Sequence, residues 1–209
     1  FLIVQDKVNR TIKHLRISPV KPATLSVGYY IATFISTLIV CFVAAGVCLG
    51  YVAAVGWYMR ASDILYLLLD ILLLSFFGTA LSSLINFFLN TQGQISAVGA
   101  IISAGYGFIC GAYMPISSFS DGLQKAISFL PGTYGTSLVR NHALGGVFAE
   151  MEEQGIPTAV VDGMRDAIDC NLYFFDEKVQ IGEMYTVLGV SVVVLVGVYI
   201  LLNTLKKKV

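Results

Sequence analysis

From Val27 to Trp57 the chain runs without a single Asp, Glu, Lys, Arg or His, and this decides which solvent it folds in. About 20 apolar residues in a helix cross the roughly 30 Å of a bilayer's hydrocarbon core. Ile64 to Leu89, Ile95 to Met114 and Met184 to Leu205 are comparable stretches, so four spans are expected. The whole chain has 209 residues, 56% of them hydrophobic and 12% charged, and a mean hydropathy of +0.79. Soluble domains carry roughly 25% charged residues, and four such helices in a soluble domain would leave too little polar surface. The expected class is an all-α, polytopic integral membrane protein.

Charge segregation predicts the orientation. Residues 1–28 hold Lys7, Arg10, Lys13, Arg16 and Lys21 against Asp6 alone, and the chain closes on Lys206, Lys207 and Lys208. Between Ser117 and Glu183, Lys125, Arg140, Arg165 and Lys178 face ten acids. The positive-inside rule puts both ends in the cytoplasm, the acidic segment outside, and an even number of crossings between them. Tyr29 and Tyr30 are the expected inner aromatic belt, and Trp57, Tyr58, Tyr66, Tyr113 and Tyr185 the outer one. Phe1-Leu2-Ile3-Val4 lacks the features of a signal peptide and reads as the end of an earlier span, so the sequence is expected to be part of a longer chain.

The third span does not run into an ordinary polar loop. Met114-Pro115 is expected to stop or kink its helix, because proline lacks the N–H and crowds the preceding turn. Phe119, Leu123, Ile127 and Leu130 then share one face of a short amphipathic piece, and Pro131-Gly132 breaks the chain again. Two short helices between apolar spans predict an external re-entrant hairpin, since non-helical backbone at membrane depth must be buried in protein or line a cavity.

The spans carry few polar features. Gly99, Ser103, Gly107 and Gly111 repeat every four residues, a close-packing stripe suited either to contacts within the chain or to a dimer seam. Ser75, Thr79, Ser82, Asn86 and Asn90 form a polar stripe on the second span, for interhelical hydrogen bonds or for lining a path. Asp70 is the one acid within a span, near enough to the expected outer end to reach interfacial water, with a paired structural role and a substrate or proton contact both open. Cys41, Cys48, Cys110 and Cys170 show no metal or redox spacing. His14 and His142 fall on opposite sides of the expected membrane, and His142 reads as a hydrogen-bonded residue at the outer interface.

At the entrance, Val8, Ile12 and Leu15 align on one face of a short basic helix ended by Ser18-Pro19 and Lys21-Pro22. It suits a topogenic anchor at an anionic leaflet or a docking element for a cytoplasmic partner. The order DKVNRTIKHLRISPVKPATL, three spans, GAYMPI, FLPGTY and LVRNHALGG resembles the C-terminal two-thirds of a type-2 ABC exporter permease, over essentially the whole chain.

That resemblance implies several parts. Residues 1–26 are the end of a preceding span and a cytoplasmic coupling helix, with Lys7, Arg10, Leu15 and Pro19 meeting an ABC ATPase subunit. Residues 27–114 are three transmembrane helices. Residues 115–148 are the re-entrant hairpin, built from Phe119 to Leu130 and Pro131 to Leu144, with Pro115, Pro131, Tyr134 and Arg140 at the outer gate. Residues 149–183 are an external acidic segment, and 184–209 the last span and basic tail. Asp70, Ser82 and Asn86 are the intramembrane polar candidates. The implied function is the permease of an ATP-driven exporter in the cell membrane, paired with a second permease half. No cofactor is expected on this chain: it has no G-x-x-x-x-G-K-[ST], so ATP and Mg belong to the partner ATPase.

Two other classes compete. A membrane-embedded enzyme would need convergent catalytic groups, yet no H-E-x-x-H or G-x-S-x-G occurs. A non-catalytic scaffold or immunity protein could share every packing feature. Nucleic-acid binding has little support, because topology explains the few basic residues.

Overall fold

The computed structural model describes residues 22–175 and 177–205. The expected coupling helix, with Lys7, Arg10, Leu15 and Pro19, lies outside them. The described chain forms α1 (Pro22–Val55), α2 (Ala61–Phe88), α3 (Gln92–Ile109), a 3-10 turn (Ile116–Ser118), α4 (Asp121–Ile127), α5 (Pro131–Glu153), α6 (Thr158–Ala167) and α7 (Ile181–Leu205). A two-residue antiparallel ribbon, β1 (Tyr173–Phe174) with β2 (Glu177–Lys178), is the exception to an otherwise helical fold.

Within the described residues, three helices are long and apolar enough to cross a bilayer: Thr24–Val55, Ala61–Phe88 and Ile181–Leu205. α2 is their centre. Tyr30 of α1 donates to the Phe76 carbonyl at 3.0 Å, and Phe34 stacks on Phe76 with centroids 3.9 Å apart. Tyr30 and Tyr199 of α7 bury around Ala80. Tyr30 is therefore an interhelical contact, its hydroxyl finding a protein acceptor within the bundle.

α3 has 18 residues and stops at Ile109, short of the expected Met114. Glycine, not proline, ends it. Gly111 takes φ +78°; its N–H bonds the Phe108 carbonyl at 3.2 Å and the Ala112 N–H bonds that of Gly107 at 2.9 Å. This is the Schellman pattern, which satisfies the last carbonyls and turns the chain away. Pro115 instead caps the following 3-10 turn. α3 begins well: Thr91 Oγ1 accepts from the Gln94 N–H, and Gln94 Oε1 accepts from the Thr91 N–H, each at 3.3 Å.

The chain resumes its course in α5, which opens on Pro131, a residue preset for a first helical turn. α5 runs to Glu153, well past the expected Leu144, because no residue between them breaks the hydrogen-bond ladder. It lies antiparallel along α2. Gly135 sits against Leu74, His142 meets Asp70, Gly145 faces Asp63, and Gly146 abuts the Tyr58 carbonyl. Leu74 lies about 20 Å into α2 at 1.5 Å per residue. Tyr106 near the end of α3 is 6.3 Å from Phe77 between ring centroids. α3 thus ends, and α5 begins, beside the middle of α2.

Between them, the 3-10 turn and α4 plug the junction. Ile116 and Ile127 join Phe77, Tyr134, Leu138, Leu172, Met184 and Leu188 in one buried cluster. Of the four residues on the expected amphipathic face only Ile127 is fully buried, and Leu123 is exposed, because α4 spans only Asp121–Ile127 and cannot present a longer stripe. The acidic segment is ordered into the end of α5, α6 and the ribbon, with Phe148, Val161 and Cys170 forming a second small core.

Candidate functional site

Two polar clusters hold α5, one on each side of the helix. In the first, Asp70 of α2 is 0% exposed. His142 Nδ1 lies 2.6 Å from Asp70 Oδ2, and the Tyr185 hydroxyl of α7 donates to Oδ1 at 2.5 Å. Tyr66 stacks on the His142 ring at 5.1 Å between centroids. Three helices therefore converge on one carboxylate. Asp70 is the tenth residue of α2, about 14 Å from its N-terminal end, and protein covers it completely. This corrects the expectation that it reaches water. His142 is hydrogen-bonded, as expected, and its partner is Asp70.

The second cluster closes the break between α3 and α5. Arg140 Nη1 donates to Asp169 Oδ2 at 3.0 Å, and its Nη2 donates to the Gly111 carbonyl. The same Asp169 oxygen accepts from the Ile116 N–H at 2.8 Å. One Arg–Asp pair thus ties the end of α3, the 3-10 turn, α5 and the segment after α6. Asp169 itself takes φ +56°, a left-handed conformation that aspartate tolerates better than most residues. Nearby, Thr136 Oγ1 donates to the Cys110 carbonyl at 2.6 Å, while Ser137 Oγ and Asn141 Nδ2 donate to that of Cys170 at 3.1 and 2.5 Å. Helix α5 supplies the donors that the broken backbone around it requires. Cys170 is free and buried; burial pushes its thiol up to about 11, with Arg140 and Arg165 pulling the other way.

Of the expected gate residues, Arg140 holds the clamp and Tyr134 donates to the Ser128 carbonyl at 2.6 Å. Pro115 and Pro131 each open a helical element. A cavity of about 400 Å³ lies beside the clamp, with Ile116, Gln124, Tyr134, Asp166, Asp169 and Tyr173 in its lining.

The stripes fare differently. Asn86 Nδ2 donates to an exposed Ser82 Oγ at 3.2 Å, while Ser75 and Thr79 bury hydroxyls with no partner among the described residues. Gly99 and Ser103 are exposed on α3, with open space around Gly99. Gly107 lies against the Tyr113 ring, and Gly111 serves the turn. The contribution of Tyr185 and Asp169 was missed in sequence: one read as an aromatic marker, the other as one acid among ten. The signal for Asp70 and His142 was their scarcity, the one acid within an expected span and one of only two histidines.

Comparison with known proteins agrees with this architecture. No curated protein and no solved structure matches the chain. The family described as ABC-2 family transporter protein matches residues 1–205. Its members of this kind are multi-pass, non-catalytic membrane subunits that work with an ATPase. The chain belongs to the ABC-2 family of transporter membrane proteins.

Proposed function

We propose that this chain is the permease of an ATP-driven exporter, and that α3, the 3-10 turn, α4 and α5 make its outer gate. The supporting observation is the junction beside the middle of α2, where α3 ends near Phe77 and α5 starts near Leu74. In this reading α3 and α5 together complete a fourth crossing, and the inserted turn and α4 are the re-entrant hairpin. Irregular backbone at such depth is tolerable because Ile116 and Ile127 are buried in protein and Arg140 satisfies the freed Gly111 carbonyl.

Both ends of the chain lie in the cytoplasm in this account, following the positive-inside rule. Residues 6–19 are the segment that couples the permease to its ATPase, with Lys7, Arg10, Leu15 and Pro19 against the subunit that holds ATP and Mg. A second permease half faces the exposed stripe of Gly99 and Ser103, where small residues permit close approach. ATP-driven closure of the ATPases moves the spans, and the gate opens outward at the far end. The test is co-expression of the full-length protein with the ATPase encoded beside it, reconstitution into vesicles, and measurement of ATP-dependent outward movement of compounds that cells retain when the gene is deleted. No ATP-dependent movement from an associated complex would reject the exporter reading.

A further inference from the structure

The mid-helix cluster does more than the gate described above requires. Asp70 is 0% exposed, and each of its two oxygens has one partner, Oδ2 His142 at 2.6 Å and Oδ1 Tyr185 at 2.5 Å. An ionised carboxylate there is tolerable only while a partner compensates it, because an uncompensated buried charge is strongly destabilising. α5 therefore cannot leave α2 with Asp70 still charged. The hydrogen bond joining them supplies the means of neutralising it.

We propose that Asp70 and His142 form a proton-transfer latch that holds the gate helix α5 against α2 and α7. When latched, the proton sits on His142 Nδ1 and pairs with the Asp70 carboxylate. On release the Nδ1–H bond breaks and an O–H bond forms on Asp70 Oδ2. A neutral imidazole leaves with α5 and a neutral acid stays on α2, with no net charge created and no other reactant needed. The Tyr185 hydroxyl keeps Asp70 oriented in both states. The other titratable groups here are Tyr66, stacked on the imidazole, and Asp63, beside Gly145 and about two turns from Asp70 on α2. His142, Asp70 and Tyr185 are positioning residues in this scheme and touch no substrate.

The inference rests on the gate reading for what the latch controls, but its test reads the chain alone. A Cβ added at Gly145 would sit 3.9 Å from Asp63 Oδ1, in ordinary contact. Asp63→Cys with Gly145→Cys in the full-length protein in lipid nanodiscs therefore reports α2–α5 contact by its rate of disulfide formation, read by mass spectrometry of the linked peptides. With the latch intact the pair links rapidly. Asp70→Asn keeps the shape and removes the charge, and is expected to slow linking about tenfold, as is His142→Gln, since a charge-assisted hydrogen bond corresponds to about that factor. Asp70→Glu keeps the charge and restores most of the rate. Linking at the wild-type rate in both Asp70→Asn and His142→Gln overturns the proposal, and so does Asp70→Glu linking as slowly as Asp70→Asn. If Asp70→Asn fails to fold, the decision passes to His142→Gln and to Tyr185→Phe, expected to slow linking less than His142→Gln; wild-type rates in both overturn the latch. ATP-driven transport plays no part in the readout, so a failure of the exporter reading is seen separately.

Discussion

Arg140 and Asp169 stand 29 positions apart in the chain and 3.0 Å apart in space, and the pair ties the end of α3 and the 3-10 turn to α5. Asp169 is 4% exposed, so removing the guanidinium strands a buried carboxylate. Arg140→Met is expected to cost about 3 kcal/mol, within the range for a buried pair broken on one side. The double variant with Asp169→Asn should lose less than the two single losses added together. Thermal unfolding of the detergent-purified protein, followed through Trp57 fluorescence, measures both.

Adjacent glycines on α5 should respond oppositely to alanine. A Cβ at Gly146 would come within 1.8 Å of the Tyr58 carbonyl, which is backbone and cannot swing away, whereas Gly145 has ordinary room. Gly146→Ala should therefore destabilise by about 1–3 kcal/mol as α5 is forced off the α1–α2 turn. Gly145→Ala should be neutral or slightly stabilising. A thermal melt of each variant decides it.

Gly111→Ala places a Cβ in a left-handed turn, at φ +78°, and 2.9 Å from the Ile116 side chain. Both effects oppose the substitution, and a loss of about 1–2 kcal/mol is expected. Limited proteolysis between α3 and α4 should accelerate in step with that loss.

Cys170 should resist alkylation at neutral pH. Burial raises its thiol from 9.0 to about 11, leaving little thiolate, which is the reactive species. The rate should climb about tenfold per pH unit until it levels off near about 11. The same raised value makes a stability contribution that is complete below pH 9 and declines as pH rises through about 11. Peptide mapping after iodoacetamide treatment across that range reads the first effect, and melting temperature the second.

The three long spans were legible because a continuous apolar run of their length has few other uses, and α1, α2 and α7 fall where hydropathy puts them. The third apolar stretch misled in its ending. Pro115 is the louder signal in sequence, but Gly111 stops the helix, since a left-handed cap acts before proline's missing N–H is felt. The length of α5 exceeds the Pro131 to Leu144 that the resemblance implied, and Gly146 within the added stretch allows close approach to the α1–α2 turn. The pairing of Asp70 with His142 spans 72 residues, and that with Tyr185 spans 115. Sequence identifies such groups as unusual; only the antiparallel register of α5 on α2 brings them together.

The most direct measurement of the central claim is co-purification of the full-length protein with the neighbouring ATPase, with and without charge reversal at Lys7 and Arg10. The account expects a stable complex that hydrolyses ATP and moves its substrate outward. With both residues changed to Glu, association should weaken by about tenfold or more as two rim charges meet their own sign. A wild-type chain that purifies free of any ATPase, under conditions where it remains folded, would contradict it.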